Sequence, residues 1–473
     1  MLVIWILPLA YVCYITFTAV RSYRRASIPG PWYTYVSSLV LKYHEITKGR
    51  RVWIHALHQR YGPVVRLAPN EVSFASLEGL KEIYMSGGSG YDKTDFYELF
   101  YQYDQRTMFS TMPKHDHAQR KRLFADRYAM TNVLRTDMLR GIEQRASYVV
   151  DICEASQGSH LDVYTILHCY ALDGASHFLF NPGGTDSLSN LEDGKIMQEL
   201  SYHDSIKHRY IQYYCPALAK WLSPFQDKPV SLAKQYVWDR TNAPGPAETS
   251  LISRLRSKSS PLSAIQSAAE CMDHLAAGID TTGDALCFLM YELSLPRSSK
   301  IQTRLRQELV CSSAAGLDEL PYLEAVIKEG LRMFPPIPMS LPRYVPGPSG
   351  RNIAGYDVSA GTIVSCQPYS LHLLDPSFWG TGDLHPSRFN PDRWMDASRS
   401  VELNRMFFAF GAGGRGCIGR NLAMVEMKTL MKQVYSKFST VVAKEMEADM
   451  SIDDQIIASR PKDQTCLLVF RSL

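Results

Sequence analysis

The segment FFAFGAGGRGCIGRNLAM, residues 407–424, constrains what this chain can fold into more than any other part of it. Gly411, Gly413 and Gly416 spell G-x-G-x-x-G, the fingerprint of a loop that holds a dinucleotide, and Cys417 follows them directly. A dinucleotide loop comes after a strand, opens a helix and is followed about 20 residues later by an acidic residue. At position 436, which is 20 residues after Gly416, this chain has a serine and not an acidic residue. The glycines are therefore predicted to serve the cysteine and not a nucleotide.

The wider pattern around the cysteine is F-x-x-G-x-R-x-C-x-G, formed by Phe410, Gly413, Arg415, Cys417 and Gly419. It resembles the haem-binding loop of the cytochrome P450 family. The resemblance implies a haem b cofactor, with Cys417 as the axial thiolate ligand of its iron and Arg415 at a propionate. Glycines let a backbone approach a flat macrocycle and donate N–H groups to sulfur. A helix that begins near Gly419 would also point its positive end at the thiolate.

Two further segments match a structural charge network of the family. KEGLR places Glu329 and Arg332 three residues apart, on one helical face where a carboxylate and a guanidinium can pair. This corresponds to the family's E-x-x-R, and FNPDRW supplies Arg393 as the third member. The resemblance implies a buried network that braces the core beside the cysteine loop. Carboxylate–guanidinium pairs at this spacing are common on protein surfaces. The match is informative because the motifs occur along the chain in the same order as in the family.

The segment AAGIDTTGD, residues 276–284, lies in the longest apolar helical stretch. It resembles the family's A/G-G-x-D/E-T-T, which implies that this helix forms the distal wall of the haem site. Asp280 and Thr281 would then pass protons to dioxygen, a role that requires a hydrogen-bonded chain to water. The alternative is an ordinary helix in which the Thr281 hydroxyl bonds a backbone carbonyl.

Basic residues elsewhere match propionate ligands of the family. Arg343, in LPRYVP, corresponds to one propionate-binding arginine. HDHAQRKRLF matches a second motif, H/W-x-x-x-R, through His117 and Lys121. Lysine here replaces the usual arginine, so the bidentate geometry is lost. Arg120 and Arg122 are alternatives for the same role.

Helical patterns dominate the rest of the chain and, with the resemblance, predict a mainly α protein with small β-sheets, the cytochrome P450 fold. Helices are expected over HAQRKRLFADRYAMTNVLR, AAECMDHLAAGIDTTGDALCFLMYELS, SSKIQTRLRQEL and LPYLEAVIKEGLRMF. Strands are expected in GPVVRLAPNEVSFA, NIAGYDV, TIVSCQ and TCLLVFR.

The N-terminus has a different character. Residues 1–20 carry no charged side chain, and Arg21, Arg24 and Arg25 follow at once. About 20 apolar residues cross the roughly 30 Å hydrocarbon core of a bilayer, and basic residues after the span keep that end in the cytoplasm. A cleaved signal peptide would have a shorter apolar run with basic residues before it. We therefore expect a transmembrane helix at 1–20, a basic and Pro/Gly-rich hinge at 21–35 and one catalytic domain at 36–473.

The composition of the chain indicates its cellular compartment and bears on which partners it binds. A net charge of +4 over 473 residues gives no basis for nucleic-acid binding, and ten scattered cysteines without a CxxC pair indicate reduced thiols in the cytosol. The resemblance implies a single-pass protein of the endoplasmic reticulum membrane, with its catalytic domain on the cytosolic side. Its electrons would come from NADPH–cytochrome P450 reductase, with cytochrome b5 as a second donor. The implied substrates are O2 and an apolar small molecule of fungal secondary metabolism, a terpenoid, polyketide or alkaloid.

Two functions other than a monooxygenase fit the same scaffold. Isomerases and dehydratases of the family use the haem iron without reducing O2, and a non-enzymatic haem protein would sense a gas or the redox state. Neither function requires an acid–alcohol pair, so Asp280 and Thr281 argue against both.

Overall fold

Helices make up most of the regular structure of the protein. The computed structural model describes residues 28–201, 206–217, 231–257 and 260–472, together with Cys13, Tyr14 and Phe17. The anchor predicted at 1–20 lies outside these residues except for those three, so it stays a prediction. Among the described residues, no helix combines the length and the apolar character that a membrane crossing needs.

The α-helices of this part of the chain are α1 (Leu39–Ile46), α2 (Arg50–Tyr61), α3 (Leu77–Met85), α4 (Lys114–Arg122), α5 (Met130–Val133), α6 (Thr136–Ala155), α7 (Val163–Phe180), α8 (Leu191–Ser201), α9 (Ile206–Tyr214), α10 (Leu232–Asn242), α11 (Leu251–Leu255), α12 (Ala264–Ser294), α13 (Ser299–Cys311), α14 (Pro321–Met333), α15 (Pro368–Leu373), α16 (Pro376–Trp379), α17 (Ala397–Met406) and α18 (Arg420–Lys437). The strands are β1 (Val64–Ala68), β2 (Glu71–Phe74), β3 (Asp92–Lys93), β4 (His160–Asp162), β5 (Arg343–Tyr344), β6 (Arg351–Ile353), β7 (Tyr356–Val358), β8 (Ile363–Cys366), β9 (Phe438–Val442), β10 (Ile452–Asp454), β11 (Ser459–Pro461) and β12 (Leu467–Ser472).

The strands form several small sheets. The largest has the order β1-β2-β8-β5-β3, in which β2 and β8 are parallel and the other pairs are antiparallel. β12 pairs with β4 on one side and β9 on the other, while β6 pairs with β7 and β10 with β11. The predicted strand segments contain β1, β2, β6, β7, β8 and β12, so the expectation of a mainly helical protein with small sheets is confirmed.

Helix α12 runs through the core with apolar clusters on both sides. Its start is fixed by Ser263 and Gln266, since the side chain of each accepts a hydrogen bond from the backbone N–H of the other. Leu275 and Ile279 belong to a cluster with α7, α10 and α11, whereas Leu286 belongs to one with α6, α13, α14 and α18. A helix packed in this way is a rigid support for the side chains on its remaining face.

Three of the four predicted long helices are confirmed as α12, α13 and α14, whereas the one predicted over residues 117–135 is wrong. There α4 ends at Arg122, a turn follows, and α5 begins at Met130. Side chains from other parts of the fold, and one from α5, bind the backbone of the turn and compete with helical hydrogen bonding. Three carbonyls accept these bonds: Leu123 from Arg254, Arg127 from Asn132, and Tyr128 from Asn421.

A buried charge network joins α14 to the segment before α17. Glu329 is 0% exposed and accepts hydrogen bonds from Arg332 at 2.9 and 2.8 Å and from Arg393 Nε at 3.1 and 3.0 Å. The backbone N–H of Asn390 and the indole N–H of Trp394 donate to the same carboxylate. Burial alone would raise the pKa of Glu329, but the two guanidinium groups hold it below its usual value. The structure thus brings together the three residues predicted to form this network.

His372, to which no sequence motif points, connects this network to the cysteine loop. Its Nδ1 lies 3.1 Å from the Arg332 carbonyl, and its Nε2 lies 2.9 Å from the backbone N–H of Phe408. Because a carbonyl only accepts, Nδ1 carries the proton and Nε2 accepts the Phe408 N–H. Burial lowers the pKa of His372 to about 3, which keeps the ring neutral in this tautomer. The imidazole of His372 therefore links α14 to the cysteine loop through two hydrogen bonds.

We predict that Glu329→Ala destabilises the protein by about 3–5 kcal/mol, because Arg332 and Arg393 lose their buried counter-charge. The free energy of unfolding, from chemical denaturation, measures this. The matched control is Glu324→Ala on the same helix, where the side chain is 37% exposed and pairs with Lys428. Because this carboxylate is partly exposed, its pairs with Lys328 and Lys428 should contribute less than the fully buried Glu329 network. Equal losses in the two variants would show that the Glu329 network does not brace the fold.

Candidate active site around Cys417

Cys417 lies in a closed loop between α17 and α18. Its backbone N–H donates to the Phe410 carbonyl at 2.7 Å, and the Gly416 N–H donates to the Gly413 carbonyl at 3.0 Å. These two bonds fix the chain on both sides of a 3-10 turn, Gly413–Arg415. A helix and not a strand precedes the loop, which agrees with the exclusion of a dinucleotide site.

The sulfur of Cys417 lies at the N-terminus of α18. Burial raises the pKa of the thiol, whereas the backbone N–H groups of Gly419 and Arg420 and the charge of Lys121 act against this rise in pKa. Such donors stabilise a thiolate and make the sulfur a metal ligand. The side chain is also accessible although protein surrounds it, so the sulfur borders an internal space.

Two glycines are required by the backbone of this loop. Gly411 and Gly413 have φ angles of +67° and +64°, in the left-handed region that other residues rarely adopt. A Cβ at Gly413 would also lie 2.1 Å from the carbonyl oxygen of Tyr84. Gly419 differs, because its φ is −78° and a Cβ there would lie 3.9 Å from the Cys417 sulfur, an ordinary contact. Gly419 therefore supplies its N–H and not a special conformation.

A group of basic side chains gathers beside the loop, and we call it the basic cluster: Lys93, His117, Lys121, Arg343 and Arg415. Lys121 Nζ donates to two carbonyls of the cysteine loop at 3.0 Å each. Arg343 donates to the Tyr97 hydroxyl at 2.7 Å, and Arg415 donates to the Met112 carbonyl at the same distance. Arg415 Nε is buried and has no hydrogen-bond partner among the described residues.

The members of the basic cluster repel one another. Burial and the charges of Arg343 and Arg415 hold the pKa of Lys93 well below its usual value. Burial and the same group of cations lower the pKa of His117 to about 2, and burial and Arg343 lower the pKa of Arg415 to about 10. Buried like charges are costly unless an anion lies among them. The cluster therefore fits a ligand that carries carboxylates, as haem does in its two propionates.

Only part of the basic segment that forms α4 takes part in this cluster. Arg120 turns toward α12 and pairs with the buried carboxylate of Glu270, and Arg122 is exposed. His117 is buried, and Lys121 reaches the cysteine loop. The structure therefore places the H-x-x-x-K pair, and not the arginines considered as alternatives, beside Cys417.

Lys93 is a member of the cluster that the sequence did not reveal. β3 pairs with β5 in a register that sets Lys93 opposite Arg343, and like charges opposite each other on neighbouring strands are destabilising. Lys93 Nζ donates to the Phe109 carbonyl at 2.5 Å and lies 4.6 Å from the centres of the Tyr97 and Phe109 rings. Only the fold brings this lysine to the arginines, since no motif surrounds it in the chain.

One face of α12 opens onto an internal space. Asp273, Ala277 and Thr281 recur at every fourth residue, and Ala277 is exposed although Leu275 and Ile279 beside it are buried. Thr281 Oγ1 donates to the Ala277 carbonyl at 2.6 Å. Its proton is thereby engaged, while its lone pairs still accept a hydrogen bond. The Thr281 hydroxyl thus bonds a backbone carbonyl, as expected if α12 were an ordinary helix. It lies, however, on a face of the helix where its oxygen can still accept a hydrogen bond.

Asp280 stands next to Thr281 and bonds toward α8. Its Oδ1 accepts a hydrogen bond from Ser201 Oγ at 3.2 Å. Burial and the charge of Asp284 raise the pKa of Asp280 to about 6, so the carboxyl group can take up and release a proton near neutral pH. Asp280 and Thr281 therefore place a proton carrier and a hydrogen-bond acceptor side by side on α12.

Tyr128 joins the cysteine loop to α12. Its hydroxyl shares a hydrogen bond of 2.7 Å with Nδ1 of His274. Its ring lies beside Gly419, and its pKa is raised by burial and by charges that include those of Cys417 and Asp273. The sulfur and the 273–281 face of α12 are therefore neighbours across one tyrosine. His274 itself is buried.

Comparison with known proteins gives a consistent family. The sequence model described as Cytochrome P450 matches residues 28–467. The cytochrome P450 monooxygenase FGM1 of Gibberella zeae is 27% identical over 468 residues, which cover 92% of this chain and 90% of that protein. Two further fungal relatives are the cytochrome P450 monooxygenase stcB of Emericella nidulans, 27% identical with coverage of 93% and 87%, and cypX of Dothistroma septosporum, 25% identical with coverage of 94% and 91%.

We predict that Gly413→Ala destabilises the protein and Gly419→Ala does not. An L residue forced into the left-handed region costs about 1–2 kcal/mol, and the contact with the Tyr84 carbonyl adds to this. At Gly419 the change in unfolding free energy should stay within about 0.5 kcal/mol. Chemical denaturation of both variants makes the comparison. A Gly413→Ala protein as stable as Gly419→Ala would contradict the described loop conformation.

Proposed function

The chain belongs to the cytochrome P450 family and is a monooxygenase, and from this premise we propose that it inserts one oxygen atom of O2 into an apolar secondary metabolite. The observation that carries the proposal is the environment of Cys417, whose sulfur receives backbone N–H groups and borders an internal space beside the basic cluster. Terpenoids, polyketides and alkaloids are the substrate classes we propose. The fungal origin of the relatives and the aromatic rings that border the basic cluster support this choice.

The residues that would hold haem b fall into two groups. Cys417 would bind the iron through its thiolate, and the basic cluster would bind the propionates. When bound, the haem supplies the iron that activates O2, and a thiolate ligand favours cleavage of the O–O bond. The chain contributes the rest: the Gly419 and Arg420 N–H groups stabilise the sulfur, and the Phe410 carbonyl and Gly413 hold the loop around it.

Asp280 and Thr281 would manage protons on the opposite side of the internal space. Asp280 can take up and release a proton near neutral pH, since its pKa is raised to about 6 by burial and by Asp284. Thr281 Oγ1 has its own proton engaged with the Ala277 carbonyl, so it orients a proton-bearing partner by accepting from it. The pair would deliver protons where the oxygen is activated and limit the loss of reduced oxygen as peroxide.

We further propose the partners and the location. Electrons would come from NADPH–cytochrome P450 reductase or cytochrome b5, docked on the side of Cys417. The uncharged run at 1–20, followed by Arg21, Arg24 and Arg25, supports an anchor in the endoplasmic reticulum membrane with the catalytic domain in the cytosol.

Reconstitution of the full-length protein with the reductase tests the function. Spectral shifts of the haem select binders from a panel of terpenoids, polyketides and alkaloids, and product analysis under isotope-labelled O2 follows. We expect label in the product and NADPH consumption, both absent from Cys417→Ser. Conversion of a substrate without O2 or NADPH consumption would instead support an isomerase or dehydratase. Haem binding with no conversion of any compound would support a sensor.

We predict that Lys93→Met weakens haem binding without lowering the melting temperature of the haem-free protein. Loss of a hydrogen bond to a charged group costs about 1.5–3 kcal/mol, or roughly 10- to 100-fold in haem affinity. The haem-free protein loses the Lys93 hydrogen bond to the Phe109 carbonyl, but this loss is offset because a buried cation repelled by Arg343 and Arg415 is also removed. Transfer of haem to an acceptor protein and thermal melting measure the two effects. Lys81→Met, at an exposed lysine on α3, is the control. A fall in melting temperature with unchanged haem transfer would make Lys93 purely structural.

We predict that Thr281→Ala lowers the product formed per NADPH by roughly 10²-fold, the usual contribution of a positioned proton-transfer group. NADPH should still be consumed, with peroxide released in place of product, and haem content should be unchanged. Thr282→Ala is the control, because Thr282 is the neighbouring residue and is buried away from the internal space. Unchanged coupling in Thr281→Ala would place this hydroxyl outside proton delivery.

A further inference from the structure

A second acidic residue lies one helical turn beyond Asp280 and faces a buried histidine. Asp284, on α12, has its Oδ1 3.4 Å from Nε2 of His168, which belongs to the adjoining helix α7. Both side chains are buried, at 4% and 0% exposure. The imidazole lies flat against Gly283, where an added Cβ would be 2.9 Å from the ring. The glycine thus lets α7 bring His168 up to Asp284.

The hydrogen bond of His168 to Tyr164 and its contact with Asp284 indicate that this pair holds an additional proton. Nδ1 lies 2.8 Å from the carbonyl of Tyr164, so Nδ1 must carry a hydrogen. Without a further proton, the lone pair of Nε2 would face a carboxylate oxygen in a buried site. Neither Nε2 nor Asp284 Oδ1 has a hydrogen-bond partner among the described residues, so their contact with each other at 3.4 Å is what accounts for both atoms. The pair is therefore either imidazolium with carboxylate or imidazole with carboxylic acid, and both forms contain the same one proton.

Electrostatics favours retention of this proton near neutral pH. Burial alone would lower the pKa of His168, but the charge of Asp284 turns the net shift upward. Burial raises the pKa of Asp284, and His168 and Arg460 oppose this only in part. Among the described residues, the titratable and charged groups that face the pair are Tyr164 on α7, Asp280 and Cys287 on α12, and Arg460 on β11.

Asp280 connects this pair to the face of α12 that borders the internal space. Residues 280 and 284 are four apart on one helix, so their side chains are neighbours, about 5–6 Å apart at Cβ. The charge of Asp284 acts on Asp280, and Asp280 also bonds Ser201, whose carbonyl is held by Arg460 at 2.7 Å. Thr281 follows Asp280 directly. The groups therefore run from His168 through Asp284 and Asp280 to Thr281.

We propose that His168 and Asp284 store one exchangeable proton and pass it to Asp280 when Asp280 has given up its own. The inference rests on the proposed role of Asp280 in the monooxygenase reaction. The proton leaves Nε2 of His168 for the Asp284 carboxylate and then the Asp280 carboxylate, which leaves the pair with one negative charge. Solvent restores the proton before the next turnover. His168 and Asp284 are positioning residues, because they act through Asp280.

Titration of the full-length, haem-loaded protein tests the store itself. With ring-¹⁵N histidine, the resonance missing in His168→Gln is that of His168. We expect it to titrate above the ordinary histidine range, and in Asp284→Asn we expect it to stay neutral between about pH 5 and 8. If the proton lies on Asp284, the infrared band of a protonated carboxyl group should disappear in Asp284→Asn. A His168 that stays neutral in the wild type, with no such band, would overturn the proposal.

Coupling experiments test the use of the stored proton. In reconstituted His168→Gln and Asp284→Asn we expect several-fold less product per NADPH, more peroxide and an altered solvent isotope effect. The loss of coupling with rising pH should begin at lower pH than in the wild type. His58→Gln is the matched control, a buried histidine on α2 with two hydrogen bonds, and should keep the wild-type profile. Wild-type pH profiles in both variants would overturn the proposal.

The two tests separate this inference from the proposed function. If the wild type forms no oxygenated product with any compound, the proposed function fails, whereas the titration of His168 still decides whether the pair holds a proton. If the wild type is coupled and the variants match it, the proton store alone fails.

Discussion

Removing the carboxylate of Glu329 from water costs several kcal/mol unless cations and hydrogen bonds surround it, and the fold around Cys417 is arranged to supply them. Arg332 and Arg393 contact its oxygens and use their remaining N–H groups on backbone carbonyls, among them those of His372 and Trp379. Much of this backbone is irregular and has no sheet or long helix to define it. The buried carboxylate therefore sets the position of a long loop region and, through His372, of the cysteine loop.

The basic cluster differs from the Glu329 network in how its charges are balanced. In the Glu329 network each charge has its partner within the chain, so the network is complete once the protein has folded. In the cluster, burial and the charges of Arg343 and Arg415 lower the pKa of Lys93, and burial and the charge of Arg343 lower that of Arg415. The same chain thus buries one set of charges that fixes its backbone and a second set that Asp92, beside Arg415, balances only in part. For this second set we propose an anionic ligand as the further counter-charge. The cations of the Glu329 network serve stability, and those of the basic cluster are proposed to serve ligand binding. Substitutions in the two sets should therefore have different effects.

Much of this could be predicted from the sequence, and the rest depends on contacts between distant segments. The cysteine loop, the E-x-x-R pair and the long apolar helix were predictable because each is a local pattern in one continuous segment of the chain. Lys93 was not, since it joins the site through a strand register with Arg343. His372 and His168 gain their roles from bonds to residues 36 and 116 positions away. The helix predicted over residues 117–135 failed for the same reason, because side chains including Arg254 and Asn421 bind its backbone.

The polar residues of α12 are best understood by their order along the helix. Asp273 interacts with Lys93 of the basic cluster, and Asp284 lies eleven residues later, roughly 16 Å along the axis at 1.5 Å per residue. The part of the helix around Asp273 therefore borders the cations that we propose to bind a ligand's carboxylates, and the part around Asp284 carries the groups that we propose to hold protons. An apolar helix of the same length would pack better, because each buried carboxyl group costs stability. Polar residues that conflict with good packing mark functional positions, and on α12 Asp280, Asp284 and Thr281 are such residues.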